Sequence, residues 1–221
     1  MMKYSAVILL GGSSTRFSKD GTNKVYLKIL DKPLFQYSID AFLSDEDCQE
    51  VIVVYNEKDL NELKTYVQGN IKLVSGGKER YDSVLNGVMV ASFPYVLVHD
   101  GARPNINLTL INRVKEGFKY SKCVSLGVPV SDTIKKVDNG IKTINRENLY
   151  YMQTPQGSDR QALIDVLKQI KEEDKITDDL MAFEKYSSIV PHIVLGDKNN
   201  LKVTTIEDFE YLKFLMEKKN V

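Results

Sequence analysis

Cysteine, histidine and net charge are all scarce in this chain, and each shortage closes off a class of function. The two cysteines, Cys48 and Cys123, lie far apart with no CxxC and no metal-ligand spacing, which excludes a disulfide scaffold and suits a reduced interior. Thirty Lys and Arg balance thirty Asp and Glu. No overall field therefore draws the protein to nucleic acid or to a membrane, and any attraction for an anion must be local. No stretch approaches the ~18 consecutive apolar residues of a membrane span. The first apolar run, from Ala6, is short and ends in glycines rather than in a secretory pattern. The P-loop pattern GxxxxGK[ST] is absent from the whole chain. A cytoplasmic protein without membrane or nucleic-acid partners is the expectation.

What is present alternates. With 43% hydrophobic residues in 221, a well-buried core is expected. Apolar runs rich in Val and Ile at Ala6–Leu10, Val51–Tyr55, Ile71–Val74, Tyr95–His99 and Cys123–Val130 read as buried strands. Between them, four helix faces recur at 3.6-residue spacing: Phe35/Ile39/Phe42, Leu60/Leu63/Val67, Val84/Val88/Ala91 and Leu110/Ile111/Val114/Phe118. Pro33 suits the first turn of the first helix. Strand and helix alternating four times predict an α/β fold with a mostly parallel sheet. No repeat or linker divides it, so residues 1–221 read as one domain. After Val130 the rhythm changes: "SDTIKKVDNGIKTINRENLYYMQ" alternates and contains Asn139-Gly140, a hairpin signal. The segment 131–152 is either an arm that reaches another subunit or a hairpin on the sheet's own edge. Further helices are expected around Leu163/Leu167/Ile170 and after Asp178, with a strand at Ile189–Leu195. The last helix should open at Thr205, with Asp208 in capping-box register.

Three expected strand ends carry polar, glycine-rich turns. "GGSSTR" follows the first strand, "SGGKERYDSV" the third and "VHDGARP" the fourth. In open α/β sheets ligands bind beyond the carboxyl ends of the strands, where glycine turns let backbone N–H groups converge on an anion. "GGSSTR" lacks GxGxxG, and alone it reads first as a tight structural turn. Arg16 and Lys24, on either side of "SKDGTN", could flank one phosphate chain, the first as a fork and the second as a point charge. Asp100, a carboxylate among cations at a strand end, suits magnesium. His99 in "VLVHD" and His192 in "VPHIV" read as packed strand residues.

Taken in order, "GGSSTR", Lys24 with "YL", "GGKERYDSV", "VHDGARP", "VPVSDTIKKV", "INRENLYYMQTPQ", "TDD" and "NNLKVTTIEDF" span nearly the whole chain. In this series the chain resembles the 2-C-methyl-D-erythritol 4-phosphate cytidylyltransferases of isoprenoid biosynthesis. Ser14 stands where that family usually has a second glycine, and Asn23 where it usually has proline. The stretch before Lys24 is also a residue longer.

The resemblance implies a Rossmann-like, nucleotidyltransferase (glycosyltransferase-A-like) sheet with an inserted β-hairpin dimerisation arm. It implies transfer of CMP from CTP to a polyol phosphate, with release of pyrophosphate and with Mg²⁺ as cofactor. The nucleophile, a phosphate monoester with a second pKa of about 6, is already ionised at neutral pH. No general base is needed, and cations around the crowded α-phosphorus should carry the catalysis. By the same resemblance Arg16, Lys24 and Lys202 stabilise the five-coordinate phosphorus, and Asp100 holds the metal. Leu10, Gly11, Gly12, Gly77, Ser83 and Gly101 would surround the cytidine and its phosphates. Thr133 and Arg146, delivered by the partner's arm, would bind the polyol phosphate with Arg103 and Lys202. Three other readings stay open: ribitol-5-phosphate cytidylyltransferase, a nucleotidyltransferase for another base, and a non-catalytic nucleotide-binding protein on the same fold.

Overall fold

Val7 and Leu9 turn to one side of the first strand, Ala6 and Ile8 to the other, and all four are buried. Such a strand must lie inside a sheet covered on both faces by helices. The computed structural model, which describes residues 2–11, 23–67 and 69–219, has that arrangement. In chain order the elements are β1 (Tyr4–Leu9), β2 (Lys28–Ile29), β3 (Lys32–Pro33), α1 (Leu34–Leu43), β4 (Cys48–Tyr55), α2 (Leu60–Tyr66) and β5 (Ile71–Ser75). There follow α3 (Arg80–Met89), β6 (Tyr95–Asp100), α4 (Leu108–Gly117), β7 (Cys123–Pro129), β8 (Ile134–Val137), β9 (Ile141–Ile144) and β10 (Tyr150–Asp159). The chain closes with α5 (Arg160–Leu167), α6 (Asp179–Tyr186), β11 (His192–Leu195) and α7 (Ile206–Lys219).

Seven strands form one sheet in the order β11-β7-β10-β6-β1-β4-β5. All its pairings are parallel except those of β10, which runs against both β6 and β7. Helices α1, α2 and α4 cover one face through Phe35, Phe42, Leu63 and Val114. Helices α3, α5 and α6 cover the other through Val84, Val88, Leu163 and Phe183. A smaller cluster seats Phe209, Leu212 and Met216 of α7 on Ile29, Leu34 and Val203. This is the mostly parallel α/β sheet that the alternation predicts.

Three local expectations need correction. β10 was not anticipated: "YYMQTPQGSD" has neither an apolar run nor clean alternation, yet Gln153, Thr154, Gln156 and Ser158 are buried in mid-sheet. Its register with β7 breaks between Met152 and Gln156, and Pro155, which cannot donate to a ladder, falls in that break. The hairpin is shorter than 131–152, because Tyr150–Met152 pair with Val128–Pro129 and Gly127 in the main sheet. The ribbon itself, β8 and β9, is a separate two-stranded sheet and not an addition to the main sheet's edge. The strand expected at Ile189–Leu195 begins only at His192. The capping box at Thr205 is present: Asp208 N–H donates to Thr205 Oγ1 (3.3 Å) and Thr205 N–H to Asp208 Oδ2 (2.9 Å).

Candidate functional site

The carboxyl ends of β1, β4, β5 and β6 lie side by side, so the turns that follow them meet. A cleft of about 600 Å³ opens there, lined by Leu9 and Gly11, by Tyr55–Glu57, by Ser75–Arg80 with Ser83, and by Asp100 and Lys202. Two glycines show why the walls approach so closely. A Cβ on Gly77 would run into the Cβ of Asp82. One on Gly101 would sit 2.5 Å from Leu10 Cδ2, where the Gly101 N–H donates to Leu9 O at 2.9 Å. On the β5 side, Gly77 N–H donates to Ser83 Oγ (3.0 Å), and a capping box between Glu79 and Asp82 starts α3. The first turn of α3 thus brings backbone N–H groups and a positive dipole end to the cleft.

Asp100, the last residue of β6, is only 8% exposed and stands among three cations. Lys202 Nζ lies 2.7 Å from Oδ2, while Arg103 Nε and Arg80 Nε lie 3.9 Å from Oδ2 and Oδ1. Burial alone would raise the carboxyl pKa; Lys202, Arg80 and Arg103 overcome it and hold the group well below the usual carboxylate range. The two arginines are themselves fixed from behind. Arg80 donates to the buried Asp179 (2.6 Å). Arg103 donates to the carbonyls of Asn200 (2.8 Å) and Met152 (3.3 Å). Lys202 lines both this cleft and a neighbouring one of about 400 Å³ that contains Arg103, Ser131, Tyr151, Gln153 and Lys198.

His99 is wholly buried, with its ring edge-on to Phe42. Burial pushes its pKa down to about 4, so the ring is neutral at pH 7. Nε2–H donates to Arg103 O (3.1 Å), Thr154 Oγ1–H donates to Nδ1 (3.1 Å), and Asp100 N–H donates to Thr154 Oγ1 (3.0 Å). The chain of bonds ties the backbones of Asp100 and Arg103 together, as befits a packed residue.

Of the residues singled out from sequence, the structure gathers Gly11, Gly77, Ser83, Asp100 and Lys202 around one cleft and puts Arg103 in the next. Leu10 lies at the rim, but its N–H is taken by Val54 O (2.8 Å) and its carbonyl by Asn23 (3.0 Å). Its N–H is committed, while its carbonyl oxygen keeps a further lone pair. Lys24 stands in the short 3-10 turn Lys24–Tyr26 and is not among the lining residues. Thr133 and Arg146 lie elsewhere, exposed at the root of the ribbon, where Arg146 donates to Ser131 O. Gly12, Ser14 and Arg16 fall outside the described residues. Behind the cleft stand two residues of the quoted segments to which the sequence assigns no role: Thr154 behind Asp100, and Asp179 behind Arg80, 99 positions away.

Fold and cleft together define a Rossmann-like α/β protein with a cation-rich site at its strand ends. The chain belongs to the 2-C-methyl-D-erythritol 4-phosphate cytidylyltransferase family, whose model matches residues 4–218. It is 38% identical over 231 residues to the enzyme of that name from Caldanaerobacter subterraneus, covering 98% of this chain and all of the relative. It is 33% identical over 214 residues to the bifunctional enzyme IspD/IspF of Pelagibacter ubique, of which it spans 57%. Among solved structures, the 4-diphosphocytidyl-2C-methyl-D-erythritol synthase of Anaerococcus prevotii superposes with a TM-score of 0.86 at 26% identity, covering 98% of this chain and 96% of that one.

Proposed function

We propose that this chain transfers the cytidylyl group of CTP to 2-C-methyl-D-erythritol 4-phosphate, giving 4-diphosphocytidyl-2-C-methyl-D-erythritol and pyrophosphate. Family membership supports the reaction, and the observation that carries it is the ring of Arg80, Arg103 and Lys202 around one buried carboxylate. With Asp179 pairing Arg80, two carboxylates face three cations, and a triphosphate supplies the balance. The polyol's phosphate oxygen forms the new bond to the α-phosphorus, and the bond from that phosphorus to the β-phosphate oxygen breaks. No proton need be removed from a nucleophile already ionised at neutral pH. His99, held neutral and fully engaged, takes no part in proton transfer.

In this reading the backbone of Gly11, Gly12 and Gly77 and the Ser83 hydroxyl surround the cytidine and its phosphates, in a wall shaped by Leu10 and Gly101. Arg16, Lys24 and Lys202 stabilise charge on the five-coordinate phosphorus. Lys202, on the boundary of the two clefts, meets both reacting phosphates, with Arg103 on the polyol side. Magnesium fits this donor set. Among the described residues no three His, Cys, Asp or Glu cluster, but Mg²⁺ commonly takes one or two carboxylates and completes its shell with phosphates and water. Asp100 would hold the ion, whose contribution is to neutralise the triphosphate.

Thr133 and Arg146 complete the polyol site from a partner subunit. The ribbon's exposure and its separation from the main sheet support a homodimer with composite sites. A cytoplasmic location belongs to the same reading, supported by two free thiols, Cys48 and Cys123. Among the described residues no helix is long and apolar enough to cross a membrane.

The test is pyrophosphate release with Mg²⁺, offering CTP, UTP and ATP with methylerythritol 4-phosphate and, separately, with ribitol 5-phosphate. Turnover confined to CTP with methylerythritol 4-phosphate is the expected result. Preference for ribitol 5-phosphate would reassign the polyol, preference for another nucleotide would reassign the base, and tight CTP binding with no turnover would favour a binding protein.

A further inference from the structure

A lysine that must meet a reacting phosphate needs a fixed backbone beneath it, and the residue before Lys24 supplies an unusual amount of fixing. Asn23 is a polar residue only 7% exposed. Its Nδ2 donates to Leu10 O (3.0 Å) and to Asp59 Oδ2 (2.8 Å), and its Oδ1 accepts from Val25 N–H (3.4 Å). Because a carbonyl and a carboxylate can only accept, they settle which end of the amide is the nitrogen.

Each partner belongs to a different part of the site. Leu10 ends β1 and is itself fastened to β4 through Val54 O. Asp59 follows the Tyr55–Glu57 wall of the cleft, and its N–H donates to Asn56 O at 2.8 Å. Val25 belongs to the same short turn as Lys24. One amide thus joins the end of β1, the cleft wall and the turn that carries the lysine. On the far side, Tyr26 stacks edge-on against Phe35 at 5.3 Å and lies 6.4 Å from Tyr66. The Lys24 backbone is held by an amide before it and a packed aromatic ring after it.

We infer that Asn23 is a positioning residue: its side chain pins the turn bearing Lys24 to the end of β1 and to the cleft wall. The inference rests on the reading of Lys24 as a group that meets the reacting phosphates. It also explains why no shorter or charged side chain would serve. Alanine reaches none of the three partners. Aspartate would set a carboxylate against Asp59 and against the Leu10 carbonyl, turning two attractions into repulsions.

The test is a double-mutant cycle, read under single-turnover conditions with CTP and methylerythritol 4-phosphate. Asn23→Ala should lower the rate of the chemical step about ten-fold and leave the KM for CTP within about two-fold, the pattern of a lost transition-state contact. Asn23→Asp should cost about thirty-fold, and adding Asp59→Asn should restore part of that by reversing donor and acceptor. In a Lys24→Ala background, Asn23→Ala should cause no further loss. A full additional ten-fold loss there would overturn the inference, since Asn23 would then act elsewhere. So would an unchanged rate for Asn23→Ala alone. If Lys24→Ala turns over normally, the role assigned to Lys24 fails first, and this result differs from either of the others.

Discussion

The sheet has a buried ion cluster at each end, and the two are built on opposite ratios. At the carboxyl ends of the strands three cations share two carboxylates: Asp100, with two of its contacts at 3.9 Å, and Asp179 behind Arg80 at 2.6 Å. At the amino ends one cation, Lys115, is held by two carboxylates: Asp45 at 2.9 Å and Asp47 at 2.6 Å. Tyr4 donates a further bond to Asp45 at 2.9 Å. The second cluster has short contacts throughout and no surplus of positive charge for an incoming anion. The first has long contacts from Asp100 to both arginines, one more cation than carboxylates, and an open cleft. A cluster that only stabilises a fold can satisfy itself, whereas one that serves a phosphorylated ligand must leave charge for it.

The sharpest way to break this contrast is to neutralise the central carboxylate. Asp100→Asn should lower turnover by about 10²–10³-fold, the usual loss for one preorganised electrostatic group, and should also lower Tm, because the buried cations around it lose their carboxylate. An active Asp100→Asn protein would make the two clusters equivalent. The next effect is in acid stability. His99 has a folded pKa of about 4, below its ordinary value of 6.5. As pH falls below 6.5, the unfolded chain takes up a proton that the folded chain refuses, so stability drops until about pH 4. The full loss is about 3 kcal/mol. It should appear as a falling Tm across that window, and His99→Gln should flatten the curve. A wild-type Tm independent of pH between 6.5 and 4 would contradict the buried neutral ring.

Lys115→Ala addresses the opposite end. It leaves two part-buried carboxylates facing each other and should cost about 2 kcal/mol in urea unfolding, with turnover per folded molecule unchanged. The smallest effect is expected at the ribbon, where Val137 and Ile141 oppose each other and are 72% and 75% exposed. Replacing both with serine should leave Tm within about 2 °C and shift the proposed dimer toward monomer on dilution, as followed by light scattering. A fully active monomer at nanomolar protein would remove the ribbon from the site altogether.

Much of this molecule was legible in its sequence, and what was hidden has physical reasons. Strands β1, β4, β5, β6 and β7 announced themselves because they are apolar on both faces, and Asn139-Gly140 marked the ribbon turn. β10 was hidden because most of its buried side chains are polar, and the two glutamines are satisfied by distant partners. Gln153 donates to Asp197 O, and Gln156 donates to Asp178 Oδ2. The glycine turns and Asp100 stood out as motifs at strand ends. Thr154 and Asp179 fall within quoted segments, but their roles in steadying Asp100 and Arg80 depend on contacts that only the folded sheet creates. Asn23 stood out only as a departure from proline, and its three bonds required coordinates.

Calorimetric titration of CTP into the wild-type, Lys202→Ala and Lys115→Ala proteins compares the two clusters most directly. Lys202 Nζ and Lys115 Nζ each lie within 3 Å of a carboxylate oxygen, so the two pairings are alike in length while the charge ratio and the opening to the cleft differ. The expected result is at least about ten-fold weaker binding for Lys202→Ala, or ~1.4 kcal/mol, with Lys115→Ala matching the wild type. Equal affinities in all three proteins would mean that the cation excess at Asp100 is not what the nucleotide meets.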